Sequence, residues 1–402
     1  MSSHSPKITQ VLEQPEVQLL LACASSDIEP GRQAKIRQLV SAGVEWNDVL
    51  ERAKRHSLLP MLYWQLSASC SELVPEKTLD FLCDHFRKNT ARNLVLSSDL
   101  LSFLKALKDR DVSAMPYKGP SLAISVYGNV GLRQFGDLDI LVRKKDVAVA
   151  TEVLVNEGFK THFKISEKQL AMFIRLGYVR LLKRDMGRQT VELHWAIAPR
   201  FFGFHLDIEL LWQTLISVDL LGQQILAPPP EALLLMLCVH GAKDAWERLE
   251  WVSGVADLIR RETKLDWDGV LALAEKTHST RMLKVGLFLA AFLLGAPVPI
   301  RILAEFESDA SLRRFAMMFI EPLTSAAPMA WTLIERVRSQ LQFKDDLLQR
   351  LRFCFRLGLT TTPVDWAVLP LPPSLRFMYF LVRPFRLLKK YGAHAIRRES
   401  SL

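Results

Sequence analysis

Near residue 111 the hydrophobic pattern of this 402-residue chain changes period, and that change limits the folds open to it. Upstream, residues 12 to 110 carry apolar side chains at helical spacing. The turn signals IEPGRQ and SAGVEW separate short amphipathic segments, and KTLDFLCDHFRKNTARNLVLSSDLLSFLKALKDR then runs on without Gly or Pro, so the spacing predicts helices ending in one long helix. Downstream, short alternating runs interleave with helical ones. VSAMPY (112–117), DLDILV (137–142), FKTHF, YVRLLKR and QTVELHWAI read as strands. PSLAISVYG, KDVAVATEVLVNEG (closed by Gly158) and a stretch near SEKQLAMFIRLG read as helices, the closing glycine being a usual helix stop. After QQILAPPPEAL helical periodicity returns and persists to about residue 360. The expectation is an α+β fold in which a small mixed β-sheet module is flanked by helical regions. Its segments are a helical region at 1–110, the α+β module at 111–227, a helical domain at 228–360 and a basic, Pro-containing amphipathic tail at 361–402.

Composition removes several classes. A hydrophobic content of 49% excludes wholesale disorder, because a chain of this length can bury a sizeable core. Five scattered cysteines, without CxxC or His pairing, suggest neither a disulfide framework nor a zinc site and fit a reducing compartment. LLAC at 20–23 follows Glu13 and Glu16 and reads as a helix segment rather than a cleavage site. The longest apolar run, Val285 to Ile300, is broken by Gly295 and two prolines and reads as a buried core helix, too short to cross a bilayer. The net charge of +9 is unevenly placed: from Arg376 onward seven Lys/Arg face one acidic residue, Glu399. That distribution gives no strong nucleic-acid signal around the sheet module. It leaves the tail compatible with either peripheral contact at an anionic inner membrane surface or docking on the protein.

Within GDLDILV, Asp137 and Asp139 alternate onto one face of a strand while Leu138 and Ile140 face the other. Two like charges this close are costly unless a cation neutralises them, and Mg²⁺ prefers oxygen ligands while leaving positions open for phosphate. A D-x-D alone also marks many solvated strand ends. Upstream, Lys118 and Gly119 open a helix at KGPSLAI, where a backbone can approach a phosphate closely, or where an ordinary strand-to-helix turn is made. In VELHW, Glu192 and His194 share one strand face and Val191, Leu193 and Trp195 the other. A third carboxylate there would complete a metal site or orient an attacking group. The plainer alternatives are a solvated Glu192 and a hydrogen-bonded core His194.

The order Gly turn, D-x-D strand, acidic strand resembles the polymerase β type nucleotidyltransferase superfamily. More closely, KGPSLAISVYG, GLRQFGDLDILV, a helix ending in EGF, VELHW and HGAKDAWERLEW together resemble a bacterial family of uncharacterised nucleotidyltransferases. The resemblance implies that Asp137, Asp139 and Glu192 hold Mg²⁺ (or Mn²⁺) and that Lys118 and Gly119 lie at the triphosphate of a bound nucleoside triphosphate. It implies for Arg133 either a phosphate contact or a brace for its loop. Pro120 departs from the superfamily, which usually places Ser or Gly there, and it offers neither hydroxyl nor N–H. HGAKDAWERLEWVSGVADLIRR reads as one helix with Trp246, Leu249, Val252 and Ala256 as its apolar stripe and His240, Lys243 and Glu247 on another face. His240 and Lys243 are candidates for an acceptor or base site. The family resemblance implies an Asp near Gly254, a contact for which Asp257 is the nearest substitute.

The expected activity is Mg-dependent transfer of a nucleoside monophosphate to a small-molecule, sugar or peptide acceptor hydroxyl, with release of pyrophosphate, in the cytoplasm. Two alternatives stand beside it: a degenerate nucleotidyltransferase module acting as a binding or scaffold protein, and a D-x-D glycosyltransferase. The latter normally needs an open α/β nucleotide-binding half ahead of the motif, where this chain reads as helical.

Overall fold

The stretch free of Gly and Pro forms a single helix, Glu76–Lys108, of 33 residues, about 50 Å long at 1.5 Å per residue. The computed structural model describes residues 5–161, 167–184, 189–325 and 331–359. Ahead of the long helix, Pro15–Cys23, Pro30–Ala42, Trp46–Arg55 and Leu59–Ser69 are helices, three of them entered through Pro in the first turn, where the missing N–H costs nothing. The expected tail lies outside the described residues.

The module that follows holds a five-stranded mixed sheet in the order β1 (Ala114–Pro116), β2 (Asp137–Val142), β5 (Gln189–His194), β4 (Val179–Arg184), β3 (Lys160–Thr161). Only β2 and β5 run parallel. The crossover between them includes the Val147–Asn156 helix. Leu138, Ile140, Val142, Val191, Leu193 and Trp195 are buried in one core with Leu96, Leu100 and Phe103 of the long helix and Ala150 and Leu154 of the crossover helix. Each large apolar side chain buried there contributes about 1.5–3 kcal/mol. The opposite face of β2 and β5 carries Asp137, Asp139, Glu192 and His194, so the strand period alone delivers the polar residues to one surface.

A second, larger core is continuous across both helical regions: Leu19, Ile36 and Leu62 from the first third share it with Leu234, Val255 and Phe319 from the last. Polar contacts reinforce this union. Asp257 accepts from Ser25 Oγ at 2.8 Å, Ser26 N at 2.7 Å and Arg260 Nη1 at 2.7 Å, and His56 Nδ1 accepts from Leu249 N at 3.1 Å. The run Val285–Ile300 supplies most of the buried Thr280–Leu294 helix, and no helix among the described residues is long and apolar enough to cross a membrane.

Two features depart from the sequence reading. HGAKDAWERLEWVSGVADLIRR is two helices, Pro230–Lys243 and Leu249–Arg261, because Ala245 and Trp246 adopt φ of 55° and 50°. The turn drives the Trp246 indole, 0% exposed, against Gly241, where a Cβ would lie 2.5 Å from the ring. Burial of so large a side chain offsets the backbone cost of two left-handed residues. Glu247 therefore leaves the face of His240 and Lys243 and pairs with Arg336. The second departure is a hairpin, β6 (Ile216–Leu220) and β7 (Gln223–Ala227), turned through Leu221 and Gly222 at φ 53° and 81°, positive at both positions as a type I′ turn requires. It packs beside β1 and the Gly119–Ser125 helix.

Candidate functional site

Parallel pairing of β2 with β5 sets Asp139 directly opposite Glu192 and Leu141 opposite His194. His194 Nε2 lies 3.1 Å from Asp139 Oδ1 and 3.2 Å from Glu192 Oε2; because an ionised carboxylate only accepts, the ring nitrogen donates. Tyr117 meets the His194 ring edge-on at 5.4 Å, and Tyr178 lies 6.0 Å away. Lys118 Nζ sits 3.4 Å from Asp139 Oδ1. Asp139 is 4% exposed and would be expensive to ionise alone. Burial raises its pKa, but Lys118 and the hydrogen bond from His194 outweigh this and hold the carboxyl well below the usual carboxylate range. Asp137, at the strand start, shifts the other way, pushed up by burial and by the charges of Asp139 and Glu192. Tyr117 and Tyr178 are raised as well, by burial first and then by these carboxylates, Tyr178 to about 12.

One atom each from Asp139, Glu192 and His194 falls within 4.8 Å of the others, within reach of a single divalent ion whose ligand distances are about 2.0–2.6 Å. The two carboxylates fit a hard ion such as Mg²⁺; the His194 ring nitrogen that donates to them would join as a ligand, as suits Mn²⁺, only on giving up that proton. Sequence reasoning grouped Asp137 with Asp139 and Glu192; here His194 completes the tight cluster and Asp137 stands on the same face at its edge.

Gly119 adopts φ +55°, and a Cβ there would lie 3.3 Å from Asp137 O. The glycine thus lets the Lys118 turn close onto the start of β2. The helix it opens, Gly119–Ser125, has seven residues with Pro120 in its first turn. Arg133 is 8% exposed, and its Nε lies 2.8 Å from Glu250 Oε1 of the Leu249–Arg261 helix. Its loop is strapped to the long helix by Asn89 and Asn93, whose Nδ2 atoms donate to Gly131 O, Val130 O and Arg133 O at 2.7–3.1 Å. These asparagines, one turn apart and buried, were missed in the sequence, where the only signal was a polar pair on an apolar helix face.

A small pocket opens beside Lys118, walled by Leu122, Tyr127, Arg133, His240, Glu250 and Trp251, with Gly254 also on its lining. His240 packs edge-on to Trp251 at 5.0 Å, and burial together with Lys118 and Lys243 depresses its pKa well below 6.5. Its Nδ1 is 3.2 Å from Asp244 Oδ2, and the same carboxylate lies 3.5 Å from Lys243 Nζ. Thus Lys118 joins the carboxylate cluster to the pocket; His240 and Lys243 both contact Asp244, but only His240 also lines that pocket. Asp257 is committed to Ser25, Ser26 and Arg260 and stands apart from the pocket lining.

A family model described as an uncharacterised nucleotidyltransferase matches residues 42–295. No curated protein matches the chain. Among solved structures, the solution structure of the antibiotic-resistance factor ANT(2'')-Ia is similar at 14% identity, over 47% of this chain and 91% of that one, with a TM-score of 0.30.

Proposed function

From the premise that the chain belongs to the uncharacterised nucleotidyltransferase family, its match spanning residues 42–295, we propose that it moves a nucleoside monophosphate from a nucleoside triphosphate to an acceptor hydroxyl, with pyrophosphate leaving. The observation that carries this reading is the placement of Asp139 opposite Glu192 with His194 between their oxygens. Asp139 and Glu192, with Asp137 beside them, would hold a divalent ion, and His194 would orient them. A bound Mg²⁺ supplies charge neutralisation at the phosphates and lowers the pKa of an attacking hydroxyl. Lys118 brings a cation to the same site, and Gly119 lets its turn lie close to β2. Glu192, its side chain 32% exposed against 4% for Asp139, would accept the acceptor proton in this reading. The pocket of Arg133, His240 and Trp251 borders the site through Lys118 and is the region we assign to substrate recognition.

A second reading, a non-catalytic binding module, draws on one observation: Asp139 is already compensated by Lys118 and His194 within the chain. The two readings separate in one assay. Purified protein with Mg²⁺ and each α-labelled nucleoside triphosphate is incubated with a metabolite extract, and label transfer and pyrophosphate release are followed. Transfer by the wild type that falls by at least about 100-fold in Asp139→Asn supports the enzyme. Nucleotide binding without pyrophosphate release supports the binding module. In this reading the protein acts in the cytoplasm, and the basic segment from Arg376 would either contact the inner membrane surface or dock on the protein.

A further inference from the structure

The last described helix, Leu347–Leu359, is attached by one side and leaves its most apolar side outward. At 100° per residue, Leu347, Leu348, Leu351, Cys354 and Phe355 fall within one arc of about 120°. Leu347, Leu348, Leu351 and Phe355 are 70%, 54%, 60% and 69% exposed. The anchor is on the opposite side. Phe353 is buried with its ring 6.3 Å from Phe201 and the Lys344 ammonium 5.2 Å from its centroid. Arg356 Nη1 donates to Arg200 O at 3.1 Å. Arg350 and Arg352, both exposed, border the apolar arc on its two edges, and the helix contains no acidic residue.

Charge decides among the occupants such a face can take. From Arg376 on, the chain has seven Lys/Arg against Glu399, the same sign as the arginine borders, so electrostatics opposes that segment lying there. Self-pairing of two copies through this face would set arginine borders against each other. An anionic bilayer complements both features: apolar side chains enter the acyl boundary while arginines reach lipid phosphates. We propose that the outward face of the Leu347–Leu359 helix is a docking surface for anionic phospholipid bilayers, with Leu347, Leu351 and Phe355 inserted and Arg350 and Arg352 at the headgroups. The basic segment after Arg376 adds attraction of the same sign.

The test is flotation of the full chain with vesicles of phosphatidylcholine alone and with about 30% phosphatidylglycerol. Wild type floats with the anionic vesicles, not with the neutral ones, and its binding weakens as salt rises. Leu351→Glu/Phe355→Glu lowers the partition coefficient at least about tenfold, and Arg350→Gln/Arg352→Gln also lowers it by about tenfold. All four positions are exposed, so thermal melts coincident with wild type show that folding is intact. Failure of wild type to float, or flotation of both variants at the wild-type level, overturns the proposal. So does a wild-type dimer in sedimentation that Leu351→Glu/Phe355→Glu dissolves, which would assign the face to a second copy.

Discussion

Replacing Glu250 by Gln removes one charge from a pair that the fold has taken almost wholly out of water. Arg133 and Glu250 have side chains 9% and 3% exposed, with 2.8 Å between Nε and Oε1. Burial is the largest influence on the Arg133 pKa and acts to lower it, but Glu250 and smaller contributions from Tyr127, Asp139 and Asp137 together raise it. Without Glu250 the guanidinium stays charged, since its ordinary pKa exceeds 12, and it lies in a site with little water to screen it. Breaking such a pair from one side costs about 3–5 kcal/mol, and the amide of Gln, which still offers an acceptor, places the expected loss near 3 kcal/mol. That corresponds to about a 150-fold smaller folding constant. Removing both charges, as Arg133→Met/Glu250→Leu, leaves no orphaned ion and should recover to within about 1–2 kcal/mol of wild type. The assay is urea unfolding of wild type, Glu250→Gln, and the cycle of Arg133→Met, Glu250→Leu and their double, the cycle read as a coupling energy. A Glu250→Gln loss below about 1 kcal/mol, or a double variant no better than the singles, would refute the reasoning. It would mean that Arg133 finds water or another anion in the folded protein.

Gly119→Ala forces a Cβ at φ +55° and 3.3 Å from Asp137 O; it should destabilise the protein by about 1–2 kcal/mol and weaken nucleotide binding more than Gly222→Ala, a turn position with open space around it, as measured by melting and nucleotide titration. Lys344, 1% exposed, has its pKa lowered to about 7 by burial, against about 10.4 in an unfolded chain. A base with a depressed folded pKa binds fewer protons when folded between these values, so its effect on stability improves as pH rises from 7 to 10 and is worst below 7. Lys344→Met should therefore gain on wild type at pH 6, by on the order of 1 kcal/mol after loss of the bond to Phe202 O, and the gain should shrink towards pH 10; pH-dependent melting of the two proteins checks this.

The strands that form the site were legible because their alternation is strict: Leu138 and Ile140 against Asp137 and Asp139, and Val191 and Leu193 against Glu192 and His194. The long helix was legible from the absence of breakers. What periodicity could not supply was anything fixed by partners distant in sequence. The break at Ala245 and Trp246 depends on the space left by Gly241 for an indole, and no local signal in HGAKDAWERLEW outweighs its helical pattern. The β6–β7 hairpin was readable in principle from the alternation around Leu221-Gly222, but Leu is an uncommon first residue for a type I′ turn. The role of Arg133 was left between phosphate contact and loop brace; its buried contact with Glu250 and the Asn89 and Asn93 bonds to its loop arise between segments far apart in the chain. His194 combined both sequence readings, being a buried, hydrogen-bonded histidine that also belongs to the candidate metal cluster.

Direct titration of Mn²⁺ in the presence of a non-hydrolysable nucleoside triphosphate, followed by the loss of its free electron-spin resonance signal, probes the convergence of the two strands as a cation site. Wild type should bind the ion, Glu192→Gln should weaken it by about tenfold or more, and Asp139→Asn should abolish it within the measured range. Equal Mn²⁺ uptake by all three proteins would place the ion elsewhere and contradict the site built on β2 and β5.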